Sequence, residues 1–231
     1  MKYIIGNWKS NKNLAQVRAW AQEFAGHMKN VEENAELKIV LCPSFVHLCL
    51  AQELLPSLDL GAQTLSPFPN GQYTGAVSAL MVSEFVEFAI IGHAERRKFF
   101  AENEQSVANE AIQALENKMT PIVAVDDHNW SAQLSQLDDD QLNKVLVMYE
   151  PPEAISTSGQ GHAADLEQVK KAIQLIKSAY SVKGVLYGGS VNATNIVEYV
   201  REPVIDGVVP GNASLDAKEF VVMIESVQKI L

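Results

Sequence analysis

Cysteine is scarce: Cys42 and Cys49 are the only two in 231 residues. A disulfide scaffold is therefore excluded. Both thiols read as buried and free, as in a reducing compartment. No Cys/His cluster has metal-ligand spacing, and the five histidines are scattered, so no metal is expected. Basic residues are outnumbered, 18 against 28, for a net charge of -10. That leaves no basic stripe for a nucleic acid. A small anion is not excluded, because one lysine and a few backbone N–H groups can hold a phosphate in an acidic protein. No apolar run approaches the ~20 residues of a membrane span. The Tyr3-Ile4-Ile5 run is too short for a secretory leader, which sets the expectation of a cytoplasmic protein. A Gly-rich nucleotide turn after the first strand is also missing, and no cofactor is expected.

Short apolar, β-branched runs alternate with helical-period stretches. The runs are Tyr3 to Trp8, Leu37 to Cys42, Leu58 to Ala62, Phe88 to Ile91, Pro121 to Val125, Val145 to Tyr149, Gly184 to Tyr187 and Ile205 to Val209. Several are apolar throughout, as parallel strands buried on both faces are. Between them, Leu14, Val17, Ala21 and Phe24 recur at helical spacing, as do Leu166, Val169, Ile173 and Ile176, and Phe220, Ile224, Val227 and Leu231. Glu167 stands four before Lys171, a helical ion-pair spacing. Weaker helices are expected over Ser44 to Leu55, Ser78 to Phe85, Glu104 to Asn117, Ser131 to Leu142 and Asn192 to Val200. Strand-then-helix repeats of this number predict an α/β chain forming a (β/α)8 TIM barrel, a single domain over residues 1–231. An open doubly wound sheet is the structural alternative.

In such a barrel the chemistry stands at the C-terminal strand ends. Lys9 follows the first strand, Gly92-His93 the fourth, Glu150 the sixth, Gly188-Gly189-Ser190 the seventh and Pro210-Gly211-Asn212 the eighth. A cation, an imidazole, a carboxylate and two small-residue turns thus converge on one mouth. Abstracting a proton next to a carbonyl needs such a set: a carboxylate made basic in a dry site, and donors aimed at the developing oxyanion.

These segments resemble the triosephosphate isomerase family closely. Its opening is similar to Gly6-Asn7-Trp8-Lys9-Ser10-Asn11. Gly92-His93-Ala94-Glu95-Arg96-Arg97 matches its Gly-His-Ser-Glu-Arg-Arg with one change. Tyr149-Glu150-Pro151, Tyr187-Gly188-Gly189-Ser190-Val191, and Asp206-Gly207 through Ala213-Ser214-Leu215 complete five motifs in order over nearly the whole chain. The resemblance implies interconversion of dihydroxyacetone phosphate and D-glyceraldehyde 3-phosphate, in glycolysis and gluconeogenesis. It implies Glu150 as the base, neutral His93 as the group polarising the carbonyl, and Lys9 as the electrostatic stabiliser and anion binder. Asn7 would support the site, and Glu95 would buttress it through Lys9. Phosphate would rest on backbone N–H groups of Ser190, Gly211 and Asn212, with Ser156 on a closing loop over Pro151 to Gly161. The segment Thr64 to Ala76 resembles a dimerisation loop, from which Thr74 would reach the partner's active site. A homodimer follows from the resemblance, and a tetramer stays open.

The chain departs from the family pattern at several points. Ala94 replaces a serine able to hydrogen-bond the carboxylate. Pro151-Pro152-Glu153 looks like the loop hinge of archaeal-type members. Ser156 and Ser158 replace glycines, Ala124 a cysteine, Asp126-Asp127 a Gly-Glu pair, Asn212 a glycine and Ala76 a glutamate. The segment between the fifth and sixth strands is short, which predicts a reduced helix there.

Taken singly, a strand-end lysine is an ordinary solvated charge and a histidine beside glycine is structural. Their joint occurrence at strand ends carries the functional reading. Trp8, Trp20 and Trp130 read as packing residues, His47 and His162 as surface or packing residues, and Asp138-Asp139-Asp140 as a solvated helix end. Two rival functions remain: a barrel enzyme for another sugar phosphate, and a non-catalytic phosphate-binding barrel serving as a scaffold.

Overall fold

The computed structural model describes residues 1–29, 31, 34–152 and 163–231. Eight parallel strands close into a barrel in chain order. They are β1 (Lys2–Asn7), β2 (Leu37–Cys42), β3 (Asp59–Ala62), β4 (Phe88–Ile91), β5 (Thr120–Val125), β6 (Leu146–Tyr149), β7 (Gly184–Tyr187) and β8 (Gly207–Val208). The open-sheet alternative falls with the β1–β8 pairing, Tyr3 against Gly207 and Ile4 against Val208. Register brings the strand ends to one rim: Asn7 pairs with Cys42, and Tyr149 pairs with both Val125 and Tyr187.

The apolar strand runs have two destinations. Alternate residues point into the barrel, where Ile5, Val40, Phe88, Ile90, Ile122, Leu146, Met148 and Leu186 pack together. Their neighbours Ile4, Leu41, Ile91, Val123, Val147 and Val185 point outward and pack under the helices. Both faces of each strand are therefore buried, and the polar alternation of a half-exposed strand is absent.

The outer layer begins with α1 (Leu14–Met28), which opens on a reciprocal cap between Asn13 and Gln16. A 3-10 turn at Phe45–His47 leads into α2 (Leu48–Leu54). Next come α3 (Ala79–Val82), α4 (Ala94–Phe100) and α5 (Glu104–Glu116). The expected helix over Ser131 to Leu142 is two short pieces, α6 (Trp130–Leu134) and α7 (Asp139–Leu142). Asp138 divides them because its side chain accepts from Gln141 N–H, which restarts the helix as an N-cap. α8 (Leu166–Ala179), α9 (Ile196–Val200) and α10 (Ala217–Gln228) complete the ring.

Some expectations are corrected. Leu14 and Leu231 lie exposed at helix ends, while the residues between them on each stripe are buried. Glu167 pairs with Lys170 at 2.8 Å, one turn position short of Lys171, and Glu202 holds the same ammonium at 3.2 Å. Cys42 is buried, but Cys49 is exposed on α2. Trp8 and Trp20 are core residues, and Trp130 packs edge-on against Tyr180. His47 is buried, with Nε2 against the Lys12 carbonyl at 2.9 Å. His162 lies outside the described residues. No described helix is long and apolar enough to cross a membrane.

Candidate active site

Lys9 stands two residues past β1, with its backbone in the left-handed region at φ 51°. A residue with a long side chain pays roughly 1–2 kcal/mol for that conformation, so the surroundings must enforce it. Its N–H donates to Asn7 Oδ1 at 2.9 Å. Its carbonyl accepts from Gln63 Nε2 at 2.9 Å and from Ser44 Oγ at 3.1 Å. The side chain then crosses the mouth, and Nζ meets Glu95 Oε1 at 2.7 Å. Gly211 borders it: a methyl group there would stand 3.4 Å from Lys9 Cε.

His93 is the N-cap of α4, where the chain leaves β4 through Gly92 at φ 67°. Only glycine fits that position. A Cβ would strain the left-handed backbone and come within 2.8 Å of Arg97 and Val107. Arg97 locks the turn from beneath, donating to the Gly92 carbonyl at 2.8 Å and to Gln133 at 2.7 Å. His93 Nδ1 accepts from Glu95 N–H at 3.2 Å. With Nδ1 turned to that N–H, Nε2 is the ring nitrogen that faces Glu150. Glu95 Oε2, at 3.7 Å from Nδ1, is the more distant group and shares a carboxylate already paired with Lys9.

Glu150 ends β6, and its own N–H is paired to the Val125 carbonyl at 2.8 Å. Its side chain is 5% exposed and that of His93 is 8% exposed. Oε1 lies 3.1 Å from His93 Nε2, and Oε2 accepts from Ala94 N–H at 3.1 Å. Burial pushes the carboxyl above the ordinary glutamate value, against the opposing pull of His93, the Ala94 N–H and Lys9. That donor is the main chain of residue 94, where alanine offers no hydroxyl. Gly188 leaves room for this carboxylate, since a Cβ there would lie 3.0 Å from Glu150 Cγ.

Lys9, His93, Glu150, Asn7 and Glu95 therefore form one connected group, with Gly188 and Gly211 as its walls. Ser190 ends the turn after β7, and its carbonyl accepts from Asn195 Nδ2 at 3.0 Å. Asn212 opens the 3-10 helix Asn212–Leu215. Ser156 and Glu153 lie outside the described residues. Thr74 is exposed, with no hydrogen bond to this group among the described residues. Gln63 and Ser44 escaped the sequence reading. Gln63 is detectable in principle, because it is the first residue beyond β3, the same strand-end position that marks the others. Among the described residues, no group of three or more His, Cys, Asp or Glu could hold a metal ion.

A family model described as triosephosphate isomerase matches residues 2–227. The chain is similar to a triosephosphate isomerase of Polynucleobacter asymbioticus, 36% identical with 96% of this chain and 98% of the relative covered. One from Mesomycoplasma hyopneumoniae is 36% identical, with 95% and 96% covered. One from Dehalococcoides mccartyi is 34% identical, with 94% and 93% covered. A match along nearly the full length, on a closed eightfold barrel whose rim gathers a lysine, an imidazole and a buried carboxylate, places this chain in the triosephosphate isomerase family.

Proposed function

We propose that the protein interconverts dihydroxyacetone phosphate and D-glyceraldehyde 3-phosphate through an enediolate. The observation that carries this reading is the contact of the buried Glu150 carboxylate, its pKa raised by burial, with Nε2 of His93, beside the Lys9 ammonium. Glu150 takes the proton from the carbon next to the carbonyl and returns it to the neighbouring carbon. His93 Nε2–H donates to the oxygen that gains charge. A neutral imidazole suits that role better than an imidazolium, which would surrender its proton to the enediolate. Lys9 supplies fixed positive charge, and Glu95 holds it in place. One N–H cannot serve Glu150 and substrate equally, so substrate binding must release the carboxylate from His93 towards the carbon acid.

The phosphate rests on the backbone N–H groups of Ser190, Gly211 and Asn212, with Ser156 as a further donor from the loop. Pro151-Pro152-Glu153 serves as an archaeal-type hinge for that loop. The active form is a homodimer. Phe68 and Tyr73 are both exposed and stacked at 4.6 Å on the Thr64 to Ala76 loop, which supports an interface there, from which Thr74 would reach the partner's site. A cytoplasmic setting, in glycolysis and gluconeogenesis, belongs to the same proposal.

A coupled assay on D-glyceraldehyde 3-phosphate tests the reading, run in deuterated solvent so that carbon-bound deuterium in the product reports proton exchange. Wild type should turn over and incorporate deuterium, and Glu150→Gln should do neither. A folded wild type that turns over nothing would support the scaffold alternative instead.

A further inference from the structure

The backbone of Lys9 is held by side chains from three other positions at the rim. Asn7 takes its N–H, and Ser44 and Gln63 both donate to its carbonyl. Gln63 does more than cap one group. Its Nε2 also donates to the Cys42 carbonyl at 2.9 Å. The same Cys42 carbonyl accepts from Trp8 N–H at 3.1 Å. A single amide that follows β3 therefore ties the end of β2 to the turn after β1. Two carbonyl oxygens face one nitrogen, and only an NH2 group satisfies both. A carboxylate of the same length would set a third and fourth oxygen against them. The orientation of the Gln63 amide is thereby settled by its neighbours.

We infer that Gln63 is a positioning residue for the isomerisation, acting through Lys9. It makes no hydrogen bond to Glu150, His93 or Glu95 among the described residues, so it does not touch the reacting group. Its leverage is geometric. Without the pull on its carbonyl, the Lys9 peptide relaxes out of the left-handed region. The first bonds of the side chain then leave Cα in another direction, and Nζ no longer falls beside Glu95 and Gly211. Ser44 adds a second, weaker hold on the same oxygen. This inference rests on the role proposed above for Lys9, and its test is built so that the two can fail separately.

The experiment is a double-mutant cycle of Gln63→Met with Lys9→Ala, read as kcat/KM for D-glyceraldehyde 3-phosphate and as calorimetric affinity for inorganic phosphate. Methionine keeps the reach and volume of glutamine and removes both donors. Displacing a charged group by about an ångström costs up to about 100-fold in rate, so Gln63→Met should lower kcat/KM by about 10- to 100-fold. Phosphate affinity should weaken in parallel. In the Lys9→Ala background the same substitution should change either readout by less than about 3-fold, because the group it positions is gone. Ser44→Ala should act in the same direction with a smaller effect, and it decides the matter if Gln63→Met does not fold. Equal losses with and without Lys9 would show a merely structural role and overturn the inference. So would a Gln63→Met enzyme, or in its place a Ser44→Ala enzyme, with wild-type kinetics. Wild type inactive on the triose phosphate would instead sink the functional reading, while the phosphate arm would still report whether Gln63 acts through Lys9.

Discussion

Replacing Glu110 with glutamine should stabilise the protein, and by an amount that grows with pH. Glu110 lies on α5 and is 1% exposed. It faces a second carboxylate, Glu102, whose Oε1 is taken by Arg96 Nε and whose buried Oε2 has no partner outside this pair. Burial first, and the Glu102 charge second, push the Glu110 carboxyl up to about 9, with Arg96 pulling the other way. Glu110 therefore keeps its proton at neutral pH and donates it to Glu102, while Leu65 N–H donates to Glu110. In the unfolded chain it titrates near the ordinary value of 4.5. The folded state holds the proton longer, so its stability is greatest below that value and falls as pH rises towards about 9. At ~1.4 kcal/mol per pH unit, the loss reaches about 3 kcal/mol by pH 7. Glutamine has the same shape, donates to Glu102 through its amide and accepts from Leu65, yet it does not titrate. Urea denaturation of both proteins at one protein concentration, at about pH 5, 7 and 8.5, measures the difference. Near pH 5 the two should agree within roughly 1 kcal/mol, and at pH 8.5 the Glu110→Gln protein should lead by roughly 4–5 kcal/mol. A difference that does not change with pH, or a variant weaker at every pH, would mean that Glu110 is ionised in the fold and that the shared-proton argument is wrong.

Other expectations concern the site. Glu150→Asp withdraws the base by one methylene and should lower kcat by about 100-fold or more with an unchanged circular dichroism spectrum; an active Asp variant would argue against direct proton transfer. Because burial raises the Glu150 carboxyl and the base must be ionised, the acid limb of kcat/KM should lie above pH 4.5; a limb at or below that value would contradict the desolvation argument. Imidazole 15N shifts at pH 7.5 should identify Nδ1 of His93 as the bare nitrogen, and an imidazolium or the opposite tautomer would exclude the hydrogen bond from Glu95 N–H. Gly188→Ala would drive a methyl group to 2.6 Å from Met148 Cγ. It should cost roughly 1–3 kcal/mol in stability and lower kcat by crowding Glu150, both read from one purified variant.

Much of this arrangement is legible in the sequence. Apolar runs without polar alternation pointed to strands covered on both faces, and the two separate cores inside and outside the barrel account for that pattern. Lys9, His93 and Glu150 stood out because strand ends in a closed barrel have few places to go. What was not legible depended on partners distant in sequence. Gln63 is an unremarkable glutamine until two carbonyls from other strands face it. The Glu102–Glu110 pair looks like ordinary helix-surface charge, and only packing of the loop at Thr64 and Leu65 buries it. Leu14 and Leu231 fit the helical period, but Leu14 opens α1 and Leu231 lies past the end of α10, where the stripe has run beyond the core. The split between α6 and α7 follows from Asp138, whose cap on Gln141 N–H prevails over the apolar pattern around it.

The resting place of the Glu150 carboxylate has a consequence for substitution at residue 94. Glu150 docks on the amide of residue 94, and every amino acid but proline presents that same hydrogen. That single anchor for the carboxylate therefore persists whichever of those side chains stands at residue 94, and only proline removes it.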